Sequence, residues 1–302
     1  MSSPVPVIIN GAAGTGHTEA ECGKLRDIFA AVGMDAAVMP ASSGAELIEM
    51  AQRAVQEKPA IIVAGGGDGT INAVASVVAG SDIALGVLPL GTLNHFAKDL
   101  QIPLALEDAA RTIAEGHVAL VDVGEVNGRV FINNSSLGLY PQIVRHRESQ
   151  QRRLGRGKWP ALAWASLTAL RRSPFMSVRL HVDDVEHRYT TTFVFIGNNE
   201  YVMEGFNIGQ RARVDGAKLS VYVSHRRGRG GLLMLALRAL FGRLHQATDF
   251  QALTAQTLEI DTRHARLHVA TDGEVSVMDT PLEYRIRPGH LRVIVPAVRA
   301  GE

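Results

Sequence analysis

Short apolar runs rich in β-branched residues alternate with stretches of helical spacing over the first third of the chain. "PVIIN" (6–10) reads as a strand, and the following "GAAGTGHTEAECGKLRDIFAAVG" as a glycine-bearing turn and a helix with Leu25, Ile28, Phe29 and Val32 on one side, ended by Gly33. "DAAVMP" predicts a second strand, "GAELIEMAQRAVQEKP" a helix stopped before Pro59, "AIIVAG" a third strand, "INAVASVVAG" a helix and "IALGVLP" a fourth strand. Strands alternating with helices predict a parallel sheet covered by helices. After Asp122 the period changes to two: "VGEVNGRVFINNSSLG", "MSVRLHVDDVEHRYTTTFVFIGN", "AKLSVYVS", "QTLEIDTRHARLHVATDGE" and "LEYRIRPGHLRVIVP" alternate as antiparallel strands do. The pattern predicts an α/β N-terminal domain with a parallel sheet over 1–120. A mainly antiparallel β-rich domain follows over 121–302, with helical insertions around Lys158–Leu170 and Gly230–Leu244 and a last strand able to pack back on the first domain.

Composition narrows the class. The chain has 302 residues, 46% of them hydrophobic, enough to bury two cores. Its 31 basic and 30 acidic residues argue against binding nucleic acid or membrane by overall charge, so any electrostatic footprint is local. A single cysteine, Cys22, excludes an internal disulfide framework and fits a reducing compartment. The N-terminus lacks the basic start and apolar length of a signal peptide, and no apolar run has the length of a spanning helix. A cytoplasmic protein is expected.

The chemistry starts at "GGGDGT" (65–70), where a strand ends and a helix begins. Such a junction aims backbone N–H groups and a helix N-terminus at one point, as phosphate binding requires. Asp68 and Thr70 are also helix-capping residues by type, so a plain strand-to-helix turn accounts for the stretch equally well. The balance shifts with "PLGTLNHFAKDLQIP" (89–103), a second glycine turn after the neighbouring strand, because adjacent strand ends of an open α/β sheet face one crevice.

"GGDGTIN" (66–72) followed by "PLGTLNHFAKDL" resembles the nucleotide-binding half of the diacylglycerol kinase and sphingosine kinase catalytic-domain family, bacterial lipid kinases included. GGDG alone is shared with NAD kinases and phosphofructokinases; the second segment is the lipid-kinase feature. The resemblance implies the NAD kinase/diacylglycerol kinase-like fold and extends along nearly the whole chain. It implies that Gly66, Gly67, Gly69, Thr70 and Asn72 cradle nucleotide phosphates and that Thr92 and Asn94 line the adjoining turn. It also implies that Asp68 orients a catalytic Mg²⁺ with Asp122, from "VDVGEVNGRVFINN", in support. "RARVDGAKLSVYV" resembles a structural Mg²⁺ segment, which gives Asp215 with the carbonyls of Ala212 and Ala217; an ordinary Asp-Gly turn reads the same. "ATDGEVSV" matches the family's D-G-E, making Glu274 the catalytic base and Asp272 its neighbour.

Three places depart from the family pattern. The first strand ends "NGAAG" without the usual proline. "MPASSGAEL" lacks a nucleotide-contacting threonine, leaving Ser42 or Ser43 to substitute. "GLYPQIV" replaces the G-[FL]-D-A stretch on the lipid side.

The implied activity is ATP- and Mg²⁺-dependent phosphorylation of a primary hydroxyl on a lipid alcohol, diacylglycerol by default, with ceramide or a sphingoid base open. The basic and aromatic segment 145–167, holding Trp159 and Trp164, and the basic and apolar segment 225–245 are candidates for transient contact with the inner face of the membrane. Solvated charge and core packing explain such segments as readily. No nucleic-acid reading motif accompanies them, and a homodimer stays open. The rival readings are a kinase of a soluble substrate, NAD kinase-like, and a non-catalytic lipid-binding regulator on the same fold.

Overall fold

The computed structural model describes residues 4–11, 19–138, 175–183, 185–202, 210–211, 213–224 and 250–297. Both helical insertions, the segments 145–167 and 225–245, Ala212 and the "GLYPQIV" stretch after Gly138 lie outside the described residues. The chain divides into two compact units, Met1–Val123 with Pro288–Glu302, and Gly124–Arg287.

The first unit holds β1 (Val5–Asn10), α1 (Glu19–Ala31), β2 (Ala36–Ala41), α2 (Gly44–Gln56), β3 (Ile61–Gly66), α3 (Asp68–Val78), β4 (Ala84–Pro89), α4 (His95–Asp99), α5 (Leu106–Glu115) and the start of β5 (Val118–Val126). Its parallel strands run in the order β2-β1-β3-β4. Val7, Ile8, Ile9, Ile62, Val63, Leu85 and Leu88 are buried along consecutive positions, because helices cover both faces and leave no polar side. α3 buries Ile71, Val74, Ala75 and Val78, the i, i+3, i+4, i+7 stripe of a helix lying on a sheet. It starts at Asp68, three residues ahead of the apolar stretch, since the glycine loop itself supplies the first turn. Ser42 and Ser43 both serve α2. The Ser43 side chain accepts the Glu46 N–H at 3.2 Å, and Glu46 in turn accepts from the backbone and hydroxyl of Ser42.

The second unit completes β5 and adds β6 (Arg129–Phe131), β7 (Asn134–Gly138), β8 (Met176–Val182), β9 (Val185–Thr191), β10 (Phe193–Asn198), β11 (Tyr201–Val202), β12 (Gln210–Arg211), β13 (Leu219–Ser224), β14 (Phe250–Ala255), β15 (Thr257–Thr262), β16 (Arg266–Thr271), β17 (Glu274–Asp279) and most of β18 (Leu282–Ile294). One antiparallel sheet runs β14-β13-β10-β7-β16-β17, and β18-β15-β8-β9 forms another row. Leu137, Val194, Ile196, Val221 and Val269 from the first and Val178, Leu180, Leu258 and Ile260 from the second belong to one buried cluster. Their alternation with exposed residues is the period-two pattern of the sequence made physical. The last residues of β18 return to the first unit, where Arg292 and Val293 pair in parallel with Ala84 and Leu85. Among the described residues no helix is long and apolar enough to cross a membrane.

Candidate active site

In the first unit, the β3-to-α3 and β4-to-α4 turns are joined backbone to backbone. A Cβ on Gly91 would lie 2.4 Å from the Cα of Gly67 and 2.7 Å from Asn94 Oδ1, so only glycine permits this approach. Gly66 leaves room for Thr70, whose hydroxyl also accepts a 3.3 Å hydrogen bond from Asn10 Nδ2. Most of the glycine run therefore serves packing between loops. Gly69 differs: a Cβ there would meet nothing within 4 Å, and the open space lies over the first turn of α3.

Asp68 has a role its residue type suggested for the wrong helix. Gly67 is the N-cap of α3, without a side-chain cap. The Asp68 carboxylate instead accepts the backbone N–H groups of His95 at 3.2 Å and Phe96 at 3.0 Å, capping α4 from 27 residues away. Asn94, with a left-handed backbone (φ 50°), holds the same turn by accepting Gly91 N–H at 3.1 Å and donating to Gly91 O at 2.9 Å. Asp68 and Asn94 thus fix the two loops as one rigid body and leave the α3 N-terminus facing open space. Thr92 is exposed at the turn; Asn72 is buried, with an Oδ1 that has no donor. Asp122 is also buried, and its Oδ1 accepts the Gly289 N–H at 2.8 Å, tying β5 to the returning end of β18.

In the second unit the D-G-E motif forms the β16-to-β17 turn. Asp272 (φ 49°) and Gly273 (φ 88°) both adopt positive φ, the two-residue hairpin geometry that Asp-Gly favours, and Thr271 faces Glu274 across it. The Asp272 carboxylate accepts three backbone N–H groups, from Ile132 at 2.8 Å and from Asn133 and Asn134 at 2.9 Å. Asp272 as a whole is half-buried at the turn, and its carboxyl group is enclosed. Burial pushes it up to about 6, against the pull of the three N–H donors and of Arg211. Arg211, itself buried, donates to Ile132 O at 2.7 Å and to Asn133 Oδ1 at 3.1 Å, so a cation and a carboxylate both brace Ile132 and Asn133.

Because the folded chain holds the Asp272 proton more tightly than the unfolded chain, its stabilising effect is full below about pH 4 and is lost as pH rises to about 6. Urea unfolding of wild type and Asp272→Asn is expected to show wild type losing about 3 kcal/mol relative to the variant between pH 4 and pH 7. A constant difference across that range would contradict the shift.

Glu274 stands out from the turn, 60% exposed at its side chain, with Arg129 Nη2 at 2.8 Å. It is the accessible carboxylate of the pair, while Asp272 shapes the turn that presents it. Sequence reasoning missed Arg129 and Arg211. Arg129 lies within "VNGRVF", but its position beside Glu274 depends on a fold contact spanning 145 residues. Arg211 had no local signal at all.

The Asp215 carboxylate is gripped by Arg213, Nε to Oδ1 at 3.0 Å and Nη2 to Oδ2 at 3.2 Å, and this holds its carboxyl below the usual range. Beside it, the buried Asn199 Oδ1 has no donor among the described residues and Ala217 takes a positive φ of 53°. Among the described residues no group of three or more His, Cys, Asp or Glu side chains could hold a metal. Asp215 is paired with a guanidinium and Asp68 accepts two N–H groups; the other ligands expected beside Asp215 are main-chain carbonyls, one of them on Ala212, outside the described residues.

An α/β unit with two fused glycine loops is followed along the chain by an antiparallel β unit that presents a carboxylate on a hairpin turn. Residues 4–126 match the family model described as diacylglycerol kinase catalytic domain, and residues 136–295, more than half of the chain, match the YegS C-terminal NAD kinase beta sandwich-like domain. The chain belongs to the bacterial lipid kinase family that carries these two domains in this order. Diacylglycerol kinases of Staphylococcus aureus strains JH9 and Newman are each 41% identical over 95 residues, 31% of this chain and 30% of theirs. The aligned stretch thus spans under a third of these curated relatives. The crystal structure of a diacylglycerol kinase from Bacillus anthracis strain Sterne superposes with a TM-score of 0.70 at 23% identity over 97% of this chain and 96% of that one, a likeness of fold. A second crystal structure from the same strain gives 0.75 at 25% identity, covering 97% and 95%.

Proposed function

We propose that this protein is an ATP-dependent lipid kinase that phosphorylates the primary hydroxyl of a lipid alcohol, with diacylglycerol as the first candidate and ceramide or a sphingoid base as the others. The observation that carries the reading is the rigid pair of glycine loops with open space over the α3 N-terminus at Gly69, in a chain whose halves match both domains of the family. ATP supplies the phosphoryl group. The N–H groups at the start of α3, over Gly67, Gly69 and Thr70, bind its phosphates, and the helix dipole favours their charge. Asp68 and Asn94 act one step back, by holding the loops at the spacing the phosphates need.

Phosphoryl transfer asks mainly for positioning and charge neutralisation. The lipid hydroxyl oxygen bonds to the γ-phosphorus, the bond from that phosphorus to the β,γ-bridging oxygen breaks, and ADP leaves. The hydroxyl proton passes to a Glu274 carboxylate oxygen. Arg129 holds the Glu274 carboxylate in place through the 2.8 Å ion pair. Working on a lipid places the protein at the inner membrane face, with segments 145–167 and 225–245 as the surfaces to examine there.

Purified protein given Mg-ATP and total membrane lipid, followed by lipid mass spectrometry, tests the reading. Phosphatidic acid is the expected product; ceramide phosphate or a sphingoid-base phosphate would change the substrate and keep the activity. Phosphorylated NAD in a parallel reaction, with no phosphorylated lipid, would replace the proposal with the soluble-substrate alternative.

A further inference from the structure

Strand β9 ends the β18-β15-β8-β9 row, and among the described strands it pairs with β8 alone. Its register is fixed by the hairpin that starts it. Val182 faces Val185 with two residues between them, and Asp183 takes the positive φ of 44° that such tight turns use. In a two-residue hairpin the flanking pair exchanges hydrogen bonds, so Val185, His187 and Tyr189 point their backbone groups at β8. Glu186, Arg188 and Thr190 therefore direct N–H and C=O outward, along the edge that no described strand pairs.

Natural edge strands usually carry charges that block further pairing. Here an acid and a base occupy successive outward positions. Two copies of β9 laid antiparallel bring outward positions opposite one another only in registers that differ by steps of two. One of these sets Glu186 against the partner's Arg188, and by symmetry Arg188 against the partner's Glu186. The neighbouring registers oppose Glu186 to Glu186 or Arg188 to Arg188. The favoured register also sets Val185, 55% exposed, against the partner's Tyr189, an apolar and aromatic cross-strand pair. Glu186 and Arg188 are 37% and 74% exposed at their side chains and form an ion pair within the strand, which pairing across a two-fold exchanges for two ion pairs between chains.

We infer that β9 is a self-association edge, through which a second copy of this chain extends the sheet about a two-fold axis passing at His187. The strand is self-complementary in charge and the interface is isologous, the geometry of most homodimers. Each Glu186 and Arg188 pair would exchange two backbone hydrogen bonds as well as an ion pair.

Charge exchange on the full chain tests this by analytical ultracentrifugation over a range of concentrations. Wild type is expected to sediment as a dimer at tens of micromolar, roughly the range where a modest edge interface is occupied. Glu186→Arg and Arg188→Glu each turn both opposed pairs into like-charge pairs and are expected to weaken dimerisation roughly tenfold or more. An equimolar mixture of the two variants opposes glutamates on one chain to arginines on the other, and is expected to restore the dimer. Recovery on mixing also excludes misfolding as the cause of the single-variant defects. A monomeric wild type at every concentration, single variants that dimerise as wild type does, or a mixture that stays monomeric would each overturn the inference.

Discussion

Gly91→Ala is expected to weaken ATP use strongly while leaving the chain folded. The added methyl would sit 2.4 Å from the Gly67 backbone, which cannot swing aside as a side chain can, so the two loops must separate. Overpacking of this kind costs about 1–3 kcal/mol, spent here at the contact that sets the spacing of the phosphate site. Asp68→Ala acts on the same contact from the other side. It removes a carboxylate that accepts two backbone N–H groups, and hydrogen bonds to a charged group contribute about 1.5–3 kcal/mol each. For either variant kcat/KM for ATP should fall roughly 100-fold, mainly through KM, with KM for lipid little changed. If Asp68 worked chiefly through metal, the Asp68→Ala defect would fall mainly on kcat and shrink at high magnesium. Steady-state kinetics at two magnesium concentrations separates these outcomes.

The second large effect belongs to Glu274. Positioned general bases contribute about 10²–10⁴-fold, so Glu274→Gln is expected to lose roughly that factor in kcat with near-normal KM for both substrates. Gln keeps the shape and can still accept a hydrogen bond from Arg129, which leaves the hairpin intact. Full activity in the folded Gln variant would remove Glu274 from the base role.

Much of the architecture could be read along the chain, because buried parallel strands and sheet-covering helices leave periodic traces within ten or so residues. β1, β3 and β4 lie within a residue of their expected bounds. The motifs were also legible, but their internal division of labour was not. In "GGGDGT" the sequence suggested glycines cleared for phosphate; the structure uses Gly66 and Gly67 chiefly for contact with Thr70 and Gly91, and leaves Gly69 open. Asp68 looked like a cap for the helix it begins, and it caps one that starts at His95. Asp272 read only as the neighbour of the base Glu274, yet three N–H donors from residues 132–134 enclose it while Glu274 is exposed. Each of these facts depends on contacts between segments far apart in sequence, which periodicity and local propensity do not encode. Arg211 is the extreme case, a buried cation whose partners are fixed only once β7, β10 and β12 are assembled.

Transfer of labelled γ-phosphate from ATP to diacylglycerol in mixed micelles, by wild type and Glu274→Gln side by side, tests the central claim most directly. Labelled phosphatidic acid is expected from wild type, and a loss of at least roughly 100-fold in the variant. Equal labelling by both proteins, or label that wild type transfers to NAD and to no lipid alcohol, would contradict it.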